Sequence, residues 1–428
     1  MLFTNITVLD EELKVRENCY VAVEEDRISY IGDSMPDEYN GRVYDGSGKL
    51  LMSGFYNAHA HSPMALMRGY GENLKLQDWL NTKIFPFEDK LDSQAVYNGT
   101  LLCMAESFRY GIVSTSDMYY FCDDMARAVL DCGAKANISR SVANMTGKDP
   151  LKLKAMKESE ELYRKYHNTG AGKLKIDMSI HAEYTSDFAT VCALADFAKS
   201  IDTVNHVHVS ETELEHRECM ERHGLTPAEY FARAGFFDRP AIAAHCVYST
   251  EEDLDIFKAK GVTVASNPVS NMKLASGICN VDKILNKGIN LAIGTDSVAS
   301  NNNLNFIEEM KLMAIGCKVS TGNPEAVTPE QVLRAATAGG AQAQGRRDCG
   351  VLKEGAKADL IVLDISGPNM HPVHNLLNNI VYSASGSDVV LTLIDGQVVY
   401  DDGEYPTIDI EKVIADAEKS TKEILKRL

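Results

Sequence analysis

The 428 residues predict an α/β fold, a (β/α)8 TIM barrel joined to a small second sheet domain assembled from both ends of the chain. Three observations carry that reading. Strand-like and helix-like segments alternate over roughly 300 residues in the middle of the chain, as a parallel sheet with covering helices requires. Ionisable residues stand where the apolar runs stop, and a barrel collects its chemistry at the C-terminal ends of its strands. Short strands without helices occur near both termini, neither set completes a domain alone, and chain ends commonly lie close together.

The first strands are expected at residues 2–10, 19–24 and 27–31, with turns at Glu25-Asp26 and Gly32-Asp33. Eight barrel strands follow at 51–61, 111–117, 135–144, 174–181, 204–210, 241–245, 262–267 and 290–295. Helix-like patterns fall between them, for example at 93–110, 150–167, 187–199, 250–260 and 304–320. Strand texture returns at 358–364 and 389–400, and residues 411–428 read as a charged terminal helix. Residues 1–52 and 350–428 are thus expected to share the small domain, with 53–349 forming the barrel. A doubly wound open sheet is the structural alternative, but no Gly-x-Gly-x-x-Gly follows any of these strands.

Hydrophobic residues at 45% and charged residues at 24% are the composition of a soluble globular protein. No stretch approaches a membrane span and the N-terminus lacks a signal-peptide pattern, so a cytoplasmic location without membrane partners is expected. Ten cysteines without a Cys-x-x-Cys pair point to reduced thiols rather than a disulfide framework or thiolate zinc site. A net charge of −18 repels polyanions and argues against a nucleic-acid partner.

The strand ends hold the chemistry. In Asn57-Ala58-His59-Ala60-His61 the two imidazoles lie two residues apart, and alternate strand residues share a face, so both rings converge. Neutral imidazole is a common metal ligand. In His206-Val207-His208-Val209-Ser210-Glu211, His208 lies nearer the strand end and reads as a third ligand, with His206 deeper. The strand 241–245 ends in His245, and Gly294-Thr295-Asp296-Ser297 supplies a hard anionic ligand. Three histidines and an aspartate leave a position open for water, the mark of a catalytic metal site.

Together with Ala243-Ala244-His245-Cys246 and Ser266-Asn267-Pro268-Val269-Ser270-Asn271-Met272-Lys273-Leu274, these stretches resemble the amidohydrolase superfamily, and within it the methylthioadenosine/S-adenosylhomocysteine deaminases. The resemblance spans nearly the whole chain. It implies a metal-dependent barrel with a small β-sandwich formed by both termini, and one divalent ion per subunit on His59, His61, His208 and Asp296, most often zinc, with iron or manganese as alternatives. Two-metal relatives bridge their ions with a lysine at the end of the fourth strand. Here that strand ends Ser179-Ile180-His181, so a single metal is expected, with His181 turned to the substrate.

The implied reaction is hydrolytic deamination of the adenine ring in methylthioadenosine, S-adenosylhomocysteine, 5′-deoxyadenosine or adenosine. Glu211 would move protons, His245 would polarise the attacking oxygen, and Asp296 would also accept a proton. By the same resemblance Trp79 and Glu88 belong to a nucleoside-binding loop, His181 and Glu211 meet the purine, and Arg140 matches a position that engages the homocysteine carboxylate. The segment 146–152 lacks a second arginine, which weakens the case for a carboxylate-bearing substrate. Homo-oligomers are implied by the family alone. The competing readings are a deaminase or chlorohydrolase of another heterocycle, such as a guanine-type base or triazine, and a catalytically silent barrel serving as an interaction protein.

Overall fold

The computed structural model describes residues 1–36 and 39–428. The chain opens with β1 (Leu2–Leu9), β2 (Val15–Glu24), β3 (Arg27–Gly32), β4 (Val43–Asp45) and β5 (Lys49–Ser53). The barrel strands follow: β6 (Phe55–Ala60), β7 (Ile112–Tyr119), β8 (Lys135–Val142), β9 (Leu174–Ile180), β10 (Asn205–Val209), β11 (Ala241–His245), β12 (Thr263–Ser266) and β13 (Leu291–Ile293). β14 (Leu360–Asp364), β15 (Val389–Ile394) and β16 (Gln397–Asp401) then return to the first sheet, and Ile410–Leu425 forms a terminal helix.

β6 to β13 pair in sequence order, each parallel to the next. The ring closes where the Asp296 amide donates to the His59 carbonyl at 2.9 Å and Asn57 and Thr295 exchange hydrogen bonds at 2.7 and 3.0 Å. Gly294 permits that closure, because a Cβ there would lie 2.2 Å from Asn267 Oδ1 and 2.8 Å from His59 Cβ. The covering helices begin on polar caps. Asp187 accepts from the Thr190 amide, and Thr250 and Asp253 cap each other's backbone, offsetting the unpaired amides of a helix start.

The two ends of the chain build one mixed sheet of eight strands, ordered β16-β15-β14-β5-β1-β2-β3 with β4 beside β1. It curls over its own core of Phe3, Val21, Ile28, Leu51, Leu360 and Leu393. The turns at its far ends meet, since a Cβ on Gly396 would reach within 2.1 Å of the Glu25 carbonyl, and the Ala358 amide, leading into β14, donates to the neighbouring Asp26 carbonyl at 2.9 Å.

Three segments differ from expectation. Residues 51–61 are two strands, split at Gly54: its amide donates to Asp359 in the terminal sheet while the next, of Phe55, donates to Gly111 in the barrel. The run 389–400 folds back on itself at Asp395-Gly396 as the β15–β16 hairpin. The helix expected at 150–167 begins with a 3₁₀ turn at Pro150–Lys152 and continues as Lys154–Tyr166. No helix among the described residues is long and apolar enough to cross a membrane.

A buried ionic cluster joins the two bodies. Lys135 on β8 donates to Asp359, just before β14, and to Asp395 at 2.8 Å, and the Tyr56 hydroxyl donates to Asp359 as well. Deeper in the barrel, Asp177 accepts from Asn137 Nδ2 at 3.0 Å on both oxygens, and burial pushes its carboxyl up to about 7. The folded state therefore holds a proton that the unfolded state, titrating near about 3.9, has released. This group's contribution to stability is present below about pH 4 and is lost as pH rises through 7. The Asp177→Asn variant is expected to gain thermal stability over the native protein progressively from about pH 4 to 7, with a constant difference above. Melting curves of both across pH check this; a difference that shrinks with rising pH contradicts it.

Candidate active site

Five ligand-type side chains converge at the C-terminal mouth of the barrel. β6 delivers His59, with His61 just beyond its end; β10 delivers His208, β11 ends in His245, and Asp296 follows β13 by a short turn. His61 Nε2 lies 3.3 Å from His208 Nε2, while Asp296 Oδ1 lies 3.4 Å from His61 Nε2 and 3.6 Å from His59 Nε2. Ring nitrogens of His59, His208 and His245 also fall within 4.8 Å of one another. His245 and Asp296 take left-handed backbone angles, φ 73° and 59°, which turn the chain sharply at the strand ends and cost on the order of 1–3 kcal/mol each.

The hydrogen bonds behind the rings fix their tautomers. His61 Nδ1 meets the Met118 carbonyl at 2.7 Å and His208 Nδ1 the His181 carbonyl at 2.6 Å. A carbonyl only accepts, so both Nδ1 atoms carry hydrogens and, in the neutral rings, both Nε2 atoms present bare lone pairs to each other. His59 Nε2 is buried with no hydrogen-bond partner, while its Nδ1 lies 2.9 Å from His206 Nε2. Bare nitrogens facing one another beside a carboxylate suit a cation held in common. A 3.3 Å separation also matches two nitrogens sharing one ion at about 2.0–2.1 Å. The supporting bonds to backbone carbonyls are those that metal-binding histidines use. The residues present therefore fit a divalent metal.

Electrostatics favour the same use. Burial holds His59 down to about 3 and His208 well below the ordinary imidazole value, so both rings are neutral and ready to ligate. Burial would raise Asp296, but the surrounding imidazoles His59, His245 and His61 outweigh it and keep the carboxylate ionised. Ser270 and Ser300 hydroxyls donate to its other oxygen at 2.6 and 3.3 Å. Glu211 Oε2 stands 3.9 Å from His245 Nε2. Burial raises Glu211, against the pull of His245; burial would lower His245, but Glu211 and Asp296 raise it overall. Asn271 Oδ1 accepts from His245 Nδ1 at 2.7 Å, directing Nε2 into the site.

A cavity opens beside this cluster. Trp79, Glu88, His181 and Glu211 line it together with His61, His208, His245 and Asp296. Trp79 and Glu88 come from a helical segment, Leu76–Glu88, whose middle turn, Leu80–Ile84, is widened to a π-helix; Pro86 has no amide to donate back to Thr82. Burial raises Glu88 to about 7, partly offset by the Tyr119 hydroxyl. His181 is lowered to about 4 by burial and by His61 and His245. Arg140 is not among the lining residues; it pairs with Glu158 at 2.7 Å. Lys273 is likewise turned away, to Glu72 at 2.8 Å.

Sequence reasoning missed several contributors. Glu215 accepts from the amides of Ser210 and Glu211 at 3.0 and 2.7 Å, holding the loop that presents Glu211. Its position one turn into the helix Glu213–His223 was the available signal. Tyr119, Tyr120 and Tyr184 complete the cavity wall, and nothing in their local sequence marks them.

A closed eight-stranded barrel with a histidine-rich centre at its C-terminal mouth, and a companion sheet made by both termini, defines a metal-dependent hydrolase. Residues 50–399 match the model of the amidohydrolase family, to which the chain belongs. It is 38% identical, over the full length of both chains, to a 5-methylthioadenosine/S-adenosylhomocysteine deaminase of Thermoanaerobacter pseudethanolicus. It is also 38% identical to a 5′-deoxyadenosine deaminase of Methanosarcina mazei, covering 95% of this chain and 94% of the relative. A crystal structure of an adenosine deaminase from Xanthomonas campestris with bound zinc superposes with a TM-score of 0.93 at 30% identity, covering 99% and 98% of the two chains.

Proposed function

We propose that the protein hydrolytically deaminates the adenine ring of a 5′-modified adenosine, releasing ammonia and the inosine analogue, with one zinc ion per chain on His59, His61, His208 and Asp296. The observation that carries this reading is the convergence of bare imidazole nitrogens on Asp296, with Glu211 and His245 beside them on the cavity wall. The deaminases among the relatives and the zinc in the Xanthomonas structure support it. An ion held by these residues would supply Lewis-acid activation of water near neutral pH.

The chain's own groups supply the rest. Glu211, its pKa raised by burial, takes one proton from the attacking water and delivers that proton to a purine ring nitrogen as the carbon–oxygen bond forms. His245 donates from Nε2 to the incoming oxygen, and Glu211 and Asp296, which raise its pKa, favour the protonated ring. Asp296, ionised, accepts the hydroxyl's remaining proton, which passes to the amino group as the carbon–nitrogen bond breaks and ammonia leaves. Trp79 forms an apolar wall, His181 meets a purine nitrogen, and Glu88 accepts hydrogen bonds from ribose hydroxyls.

The test measures metal content and ammonia release together, on protein offered methylthioadenosine, 5′-deoxyadenosine and adenosine, with guanine as a control. Ammonia from the adenosines with one metal per chain is expected, and metal-replete protein inert toward all of them overturns the reading. Chelation is expected to abolish turnover and added zinc to restore it; turnover that persists in metal-free protein contradicts the assignment of the cluster.

A further inference from the structure

We propose that the cavity selects adenosines whose 5′ substituent is uncharged, a 5′-deoxy group or an apolar thioether, over one ending in an amino acid as in S-adenosylhomocysteine. The inference rests on the deaminase reading above. Among the described residues no lysine or arginine lines the cavity. Away from the metal cluster its wall includes Met64, Leu76, Leu80, Ile84, Phe85 and the tyrosines, with Glu88 the acidic member. A substrate carboxylate drawn against this wall loses water and gains no cation, whereas an apolar chain gains burial. A carboxylate that reaches past the wall into solvent keeps its water and contributes nothing to binding.

The strand register shows why Arg140 is absent from the wall. Side chains alternate across β8. Asn137 donates into the barrel, to Asp177 at 3.0 Å, and Ser141 lines the cavity, so Arg140 lies on the other face, against the helix Lys154–Tyr166. There its Nε donates to Glu158 Oε2 at 2.7 Å, its Nη1 donates to the Ser141 carbonyl, and its guanidinium carbon lies 4.9 Å from the centre of the Tyr120 ring. Tyr120 itself lines the cavity. The guanidinium is thus committed to a carboxylate, a carbonyl and an aromatic face, with none of its assigned bonds directed at the substrate.

The experiment compares kcat/KM of the metal-loaded enzyme for methylthioadenosine, 5′-butylthioadenosine and S-adenosylhomocysteine. The butyl compound has the length of the homocysteine chain without its charges. It is expected to match or exceed methylthioadenosine, with S-adenosylhomocysteine lower than the butyl compound by about tenfold or more. In Arg140→Met the ratio between these last two is expected to change by less than about twofold. S-adenosylhomocysteine turned over as well as the butyl compound overturns the proposal, as does a butyl compound equally poor, which would make length the selector. A selective loss of S-adenosylhomocysteine turnover in Arg140→Met also overturns it, by showing that the guanidinium reaches the carboxylate. Absence of turnover on all three by metal-replete enzyme removes the deaminase reading itself, and the inference with it. The comparison within the native enzyme stands whether or not the variant folds.

Discussion

Glu211→Gln is expected to lower kcat for deamination by roughly 10²–10⁴-fold while metal content and melting temperature stay close to native values. Glutamine keeps the shape and the hydrogen-bonding reach of the side chain but cannot shuttle a proton. Metal is retained because Glu211 is not one of the four proposed ligands, and the fold is retained because the loop is held through the Glu211 amide and Glu215 rather than through the Glu211 carboxyl. Parallel measurement of bound metal, unfolding and ammonia release checks all three. A variant within tenfold of native turnover would move the proton transfer to another group, with His245 the nearest candidate.

Lys135→Met is expected to cost about 3–5 kcal/mol of folding stability, read from chemical denaturation. Lys135 is 2% exposed and Asp359 fully enclosed, so removing the ammonium leaves a carboxylate without its counterion where water cannot replace it. Burial would lower the lysine, but Asp359 holds its pKa above the ordinary value, and the lysine in turn holds Asp359 below the ordinary carboxylate range. Adding Asp359→Leu should recover much of the loss, because an apolar pair of similar volume replaces a buried ion pair at little net cost. A loss under about 1 kcal/mol in the single variant would show that water reaches the cluster.

The fold was legible because five of the eight barrel strands run into a residue an apolar run does not explain: His61, His181, Ser210, His245 and Asp296. Period-2 alternation then brought His59 and His61 to one face without tertiary information. Other features depend on long-range neighbours. Gly54 reads as a strand interior until its amide and that of Phe55 are seen to serve different sheets. Arg140 occupies a familiar position in a motif, yet whether a side chain faces the lumen or a helix is set by register, and the Glu158 that holds it comes from the next element. Tyr119, Tyr120 and Tyr184 are ordinary aromatic residues until the closure of the barrel turns them into a wall.

The junction at Gly54 bears on the order in which the molecule can mature during synthesis. β5 is flanked by β1 and β14, and one residue separates it from the strand that carries His59. Residues 1–53 leave the ribosome early, but the final neighbour of β5 is made only when residues 360–364 emerge. The scaffold behind the first two histidines stays incomplete until most of the polypeptide has been translated, so a nascent chain that stalls just beyond Asp296 carries every proposed metal ligand but lacks the strand that flanks β5.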